Sequence, residues 1–150
     1  MNKLIDFDKI IQNLLSIPRS KNDTGQALLA YIKNLCEKEG YEYNEDEFAN
    51  LLIIKEASEE FLDIEPIFLH AQASYEYEEY RVLEANKSEY KIDYYKKSNK
   101  FLSDTMSIGS NTHQGIAMII AILTNKDLKH PKLEIIISSN NNSIEPSISK

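Results

Sequence analysis

Three stretches of this 150-residue chain carry the side chains best able to do chemistry. His70, Gln72 and Ser74 alternate along I-F-L-H-A-Q-A-S. Ser110, Asn111, Thr112, His113 and Gln114 crowd between Gly109 and Gly115. Asn140, Asn141 and Asn142 follow the run L-E-I-I-I-S-S. Imidazoles can ligate a metal or pass a proton, whereas amides and hydroxyls exchange only hydrogen bonds. The 109–115 loop holds no carboxylate at all.

His70 and Gln72 fall on one face of a strand by two-residue alternation, and the loop holding His113 is expected to face them. A metal site built from His70 and His113 would have two neutral ligands and no carboxylate. Ordinary hydrogen-bonded histidines are the more economical reading. Ser74 and Ser138 would need a histidine–carboxylate pair to become nucleophiles, and the sequence places none for either. Gln72, Ser74, Asn111 and Asn141, with His70 and His113, could line a neutral pocket for a peptide or amino acid. The competing account, a decayed cleft whose polar groups bond to one another, is the simpler one.

The elements that must position these residues follow from periodicity. Phe7, Ile10, Ile11, Leu14 and Leu15 keep helical spacing behind Asp6 as N-cap, and Pro18 ends that helix. A second helix is expected from a cap at Asp23 or Thr24 through Glu39, closed by Gly40 in the left-handed region. Residues 41–44 and 51–55 read as strands joined by the acidic segment 45–49, and 57–65 as an exposed charged connection. Pro66 opens a strand over 67–73, whose apolar run points to a place inside a sheet. The composition then shifts to Tyr, Glu and Lys, and residues 90–95 and 101–106 are expected to pair about Ser98-Asn99. The tyrosines read as half-exposed strand residues rather than a base-stacking surface, because Glu76, Glu78 and Glu79 flank them. Residues 108–123 form a polar loop running into a helix apolar nearly all round, and hence central. His130-Pro131 lies in a turn before a strand at 133–137. Strands alternating with helices give an α/β fold: a layered sandwich with a mixed sheet and flanking helices.

Composition narrows the function. The length suits one domain over 1–150, with 139–150 a loose tail. A formal net charge of -7 gives no electrostatic case for nucleic acid or an anionic membrane. The single Cys36 lies on the apolar face of a helix and reads as a buried structural thiol. The first residues carry no signal-peptide core, and the apolar run 116–123 is too short to span a bilayer. A cytoplasmic location is the expectation.

Three of these stretches, in order, resemble the N-terminal part of Xaa-His dipeptidases (aminoacyl-histidine dipeptidases), a branch of the di-zinc metallopeptidase superfamily. L-L-S-I-P-R-S-K-N-D resembles the family's opening helix and S-I-P-R-x-S-x-N-E turn. P-I-F-L-H-A-Q-A-S resembles P-x-x-L-Q-G-H-x-D. I-G-S-N-T-H-Q-G-I-A, its helix and H-P-K-L-E-I-I-I-S-S-N-N-N resemble L-G-A-D-N-G-I-G-I-A followed by H-P-P-L-E-V-L-F-T-x-D-E-E. The resemblance implies a peptidase fold using two zinc ions. It also implies that the functional positions have changed. Gln72 stands for a histidine ligand, Ser74 for an orienting aspartate and Asn111 for the bridging aspartate. Asn140 stands for the aspartate before the last pair, Asn141 for the general base and Asn142 for a further ligand. An amide carries no charge to balance Zn²⁺ and accepts no proton near neutral pH. The expectation is an inactive, truncated dipeptidase-like protein without zinc, lacking the lid domain and the completing C-terminal segment. A protein partner or self-association would then cover its incomplete sheet. A peptide-binding module, and a zinc dipeptidase completed by a partner chain, are the alternatives.

Overall fold

The computed structural model describes residues 5–20, 25–73, 89–90, 93–103 and 110–139. In chain order these form α1 (Phe7–Leu15), β1 (Arg19–Ser20), α2 (Gln26–Glu39), β2 (Glu42–Glu45), β3 (Leu51–Lys55), a 3₁₀ turn (Glu59–Phe61) and β4 (Ile67–Ala73). β5 (Glu89–Tyr90), β6 (Tyr95–Lys97), β7 (Lys100–Leu102), α3 (Ser110–Thr124) and β8 (Leu133–Ser139) follow. β2, β3, β8 and β4 lie side by side in that order. β3 runs antiparallel to both of its neighbours, and β4 runs parallel to β8. The mixed α/β architecture read from the sequence is the one observed.

Alternation decides which face of that sheet is covered. Leu51 and Ile53 of β3, Ala71 and Ala73 of β4, and Leu133, Ile135 and Ile137 of β8 are buried in one core with residues of all three helices. α1 contributes Ile11, Leu14 and Leu15, α2 contributes Leu28, Leu29 and Ile32, and α3 contributes Ile116, Ala117, Ile119, Ile120 and Leu123, while Met118 points out to solvent. All three helices therefore lie on one face of the sheet. On the other face Phe68, His70 and Gln72 of β4 are exposed.

α1 starts where its cap predicts, with the Asp6 carboxylate accepting from the Lys9 amide at 3.0 Å. α2 ends at Gly40 in the left-handed region as expected, but it begins differently. Its N-cap is Gly25 at φ +107°, with Gln26 the first helical residue, whereas Asp23 and Thr24 lie outside the described residues. A Cβ at Gly25 would stand 1.7 Å from the Ala73 carbonyl oxygen, so tertiary packing, not a side-chain cap, fixes this helix start.

Two further expectations need correction. β4 is an edge strand of the sheet among the described residues, not an interior one. Its apolar run satisfies one covered face, while Ile67 and Phe68 stay nearly half exposed. The polar stretch before the central helix is itself helical from Ser110, because Gly115 sits inside α3 rather than bounding a loop. A Cβ at Gly115 would meet only the Ala71 side chain at 3.7 Å.

The two-residue hairpin about Ser98 and Asn99 is present, both with positive φ, the geometry that matches strand twist. Its strands are β6 and β7 only. Tyr90, expected in the hairpin, instead faces Arg19 across the β1–β5 pair. Ser139, expected in a loose tail, is the buried last residue of β8, and residues 140–150 lie outside the described ones.

Candidate functional site

β4 and β8 run in the same direction, with Gln72 opposite Ser138 and His70 opposite Ile136. His70, Gln72 and Ser138 thus share the sheet face that the helices leave uncovered. The His70 Nε2 and Ser138 Oγ are 2.9 Å apart. No spacing along the chain marks a histidine partner for Ser138, and the register supplies one. Ser138 is 3% exposed, and among the described residues no carboxylate bonds the His70 ring. Without an orienting anion the pair is a hydrogen bond across two strands, not a catalytic triad.

His113 is not near them. It is 1% exposed in the second turn of α3, inside the helix layer, where it borders an open cleft with Phe7 and Ile11 of α1 and Phe101 of β7. The β4 backbone separates it from His70, so the expectation that the two imidazoles face each other fails. α3 packs on the Ala71 side of β4 and His70 points to the other side. The backbone of Asn111 lies in the first turn of α3. Ser74, Asn140, Asn141 and Asn142 lie outside the described residues. Among the described residues, no group of three His, Cys, Asp or Glu side chains converges to hold a metal ion.

Two polar devices that sequence reading missed hold this framework. The Lys55 ammonium, on a strand face otherwise apolar, donates to the carbonyls of Ile122 at 2.6 Å and Asn125 at 3.1 Å. The Tyr41 hydroxyl donates to the Leu123 carbonyl at 2.6 Å. Together they satisfy carbonyls left open at the C-terminus of α3 and favour its negative dipole end. Burial pushes the Lys55 amine below its ordinary value, with nearby Lys126 adding to the effect. A lysine in phase with buried Leu51 and Ile53 was the available signal.

The second device fixes the end of β8. The Asn50 side-chain oxygen accepts from the buried Ser139 amide at 2.9 Å, and its amide donates to Asp46 at 3.0 Å. The Ser139 hydroxyl donates to the Phe48 carbonyl at 2.7 Å. Asp46 also accepts from the Phe48 and Asn50 amides, so one loop is cinched around a carboxylate and tied to the strand end. Ala49 takes φ +63° to close it. Elsewhere, Ser58 and His130 exchange backbone and hydroxyl bonds, and the His130 ring meets the Pro131 carbonyl at 2.7 Å. That is the structural turn the sequence indicated. Cys36 is buried, and desolvation followed by the Glu37 charge pushes its thiol up to about 11.

A four-stranded mixed sheet with three helices on one face, and a parallel strand pair crossed over by α3, makes an α/β fold. Two solved structures share it. An aminoacylhistidine dipeptidase from Vibrio alginolyticus superposes with a TM-score of 0.79 at 18% identity, over 95% of this chain and 29% of that one. A tripeptidase from Staphylococcus aureus gives 0.68 at 16% identity, over 97% of this chain and 41% of that one. The chain therefore has the fold of part of a dipeptidase-type structure, and it spans less than half the length of either. No known family pattern matches the chain, and no curated protein does. At these identities the likeness carries the fold and not the reaction. No helix among the described residues is long and apolar enough to cross a membrane.

Proposed function

We propose that this chain is a non-catalytic, dipeptidase-like protein that acts as a structural or protein-binding unit. The observation that carries this reading is the donor set on the carboxyl half of β4. Where the motif resemblance calls for a histidine ligand, Gln72 stands exposed on the strand, and the bridging position in α3 is Asn111. Neutral amides do not fit a pair of zinc ions, whose charge needs anionic oxygen or imidazole. The remaining imidazoles do not repair the set. His70 is engaged with Ser138, and His113 is buried on the far side of the strand.

Both structural neighbours are peptidases by name, so activity is the hypothesis to eliminate. The test is metal analysis of the purified protein with an assay of histidine-containing dipeptides in added zinc. The expected outcome is no stoichiometric zinc and no hydrolysis. Zinc held near one ion per chain or more, or zinc-dependent dipeptide cleavage, overturns the proposal.

A second reading has its own observation. His70 and Gln72 present an imidazole and an amide on one exposed sheet face, groups suited to a peptide or amino acid. A rise in Tm with histidine-containing dipeptides supports it, and an unchanged Tm rejects it.

A further inference from the structure

We propose that the cleft between α1, the β6–β7 hairpin and α3 binds a small organic anion, a carboxylate carried on an aromatic or aliphatic body. The site is separate from the outer sheet face, and it stands whether or not the chain cleaves a peptide. The cleft holds about 420 Å³, within the range of small-molecule sites. Phe7 and Ile11 of α1 line it together with Phe101 and Leu102 of β7. Phe7 is 39% exposed, so a ligand ring laid against it removes apolar surface from water.

Side-chain contacts tie the hairpin to α1 across the cleft. Lys96 of β6 pairs with the Asp8 carboxylate of α1, and its ammonium lies 5.7 Å from the centre of the Phe101 ring. Phe101 in turn meets Tyr94 edge to face, with ring centroids 5.9 Å apart. The turn between β6 and β7 is set by positive φ at Ser98 and Asn99. A cleft formed in advance spares its ligand part of the cost of ordering the protein.

Charge selects the ligand. Asp8 is the one carboxylate among the lining residues, and Lys96 already engages it. Lys100 lines the same cleft and is exposed, and Lys97 precedes the turn, so the hairpin tip is basic on a chain of net charge -7. Phe7 and Asp8 belong to the first turn of α1, and His113 and Gln114 to the N-terminal turns of α3. The positive ends of two helix dipoles therefore lie at one cleft. A carboxylate gains from Lys100 and from both helix ends, and the exposed Gln114 amide can donate to it. A cation would meet the same groups and find the Asp8 charge already neutralised.

The experiment titrates the full, isotope-labelled chain with 3-phenylpropionate, and with 3-phenylpropan-1-ol as the same body without the charge. Saturable NMR shifts are expected at residues 7–11, 99–102 and 113–114. The acid should bind about fivefold or more tightly than the alcohol, and the gap should narrow toward about 1 M salt. Lys100→Glu should erase that preference while leaving alcohol binding and Tm unchanged. Phe7→Ser should weaken both ligands and keep the preference. Absence of saturable binding, equal affinity for acid and alcohol, or an unchanged preference in Lys100→Glu overturns the proposal. Shifts confined to β4 and β8 also overturn it, because they would assign the ligand to the outer sheet face.

Discussion

Lysine 55 shows how much one residue can decide. It is 6% exposed, yet its ammonium closes the C-terminus of α3 through two carbonyls. Burial lowers its pKa, so the unfolded chain keeps that proton at a pH where the folded chain has begun to lose it. Stability from this group therefore rises with pH between the lowered folded value and the ordinary lysine value near about 10.4. Below that window both states are protonated and the folded state bears the full desolvation cost. Urea unfolding of the wild type and Lys55→Met from neutral pH upward should show their difference moving in favour of the wild type as pH rises. A pH-independent difference would refute the linkage. Asn50 poses a simpler case. Asn50→Ala strands the buried Ser139 amide and should cost about 1–3 kcal/mol in the same measurement. At Cys36, a thiol pushed up to about 11 and buried should react with alkylating reagents about 100-fold slower, or slower still, in the folded chain than in urea.

Among the elements, α2 and β4 are coupled through Gly25. Any Cβ there collides with the Ala73 carbonyl oxygen, and the φ of +107° is itself unfavourable for other residues. Gly25→Ala should destabilise by about 3 kcal/mol or more, because the obstacle is backbone and neither element can shift without opening the core. Equilibrium unfolding checks this, and a loss below about 1 kcal/mol would mean the contact relaxes easily. Gly40→Ala serves as the comparison. It has the same sign of φ but open space around it, so only the backbone cost applies, about 1 kcal/mol. The sequence marked Gly40 correctly because a C-terminal glycine follows a local rule. It did not mark Gly25, whose requirement comes from a strand some fifty residues away.

For the whole molecule, the helices cover one sheet face and leave the other carrying Phe68, His70 and Gln72. Self-association through that face is opposed by charge at net -7, with a screening length near about 10 Å at 0.1 M salt. The isolated chain should sediment as a monomer at low salt and associate increasingly toward about 1 M salt, where repulsion is screened and apolar contact remains. Association that weakens with salt would contradict this.

What the sequence by itself determined was local. Apolar runs located the strands at 51–55 and 67–73, a cap and a proline bounded α1, and Ser98-Asn99 set the hairpin turn. The quoted motifs led to the peptidase-type fold that two solved structures share. Only the tertiary structure decided which strands are neighbours and which faces are covered. Among the described residues it left β4 beside β8 alone, took polar residues 110–115 into a helix, parted His113 from His70 and joined His70 to Ser138. The physical reason is that periodicity records how often a side chain is buried, not what buries it. Register and layer order arise from contacts between residues far apart in the chain, and no spacing rule within a segment encodes them.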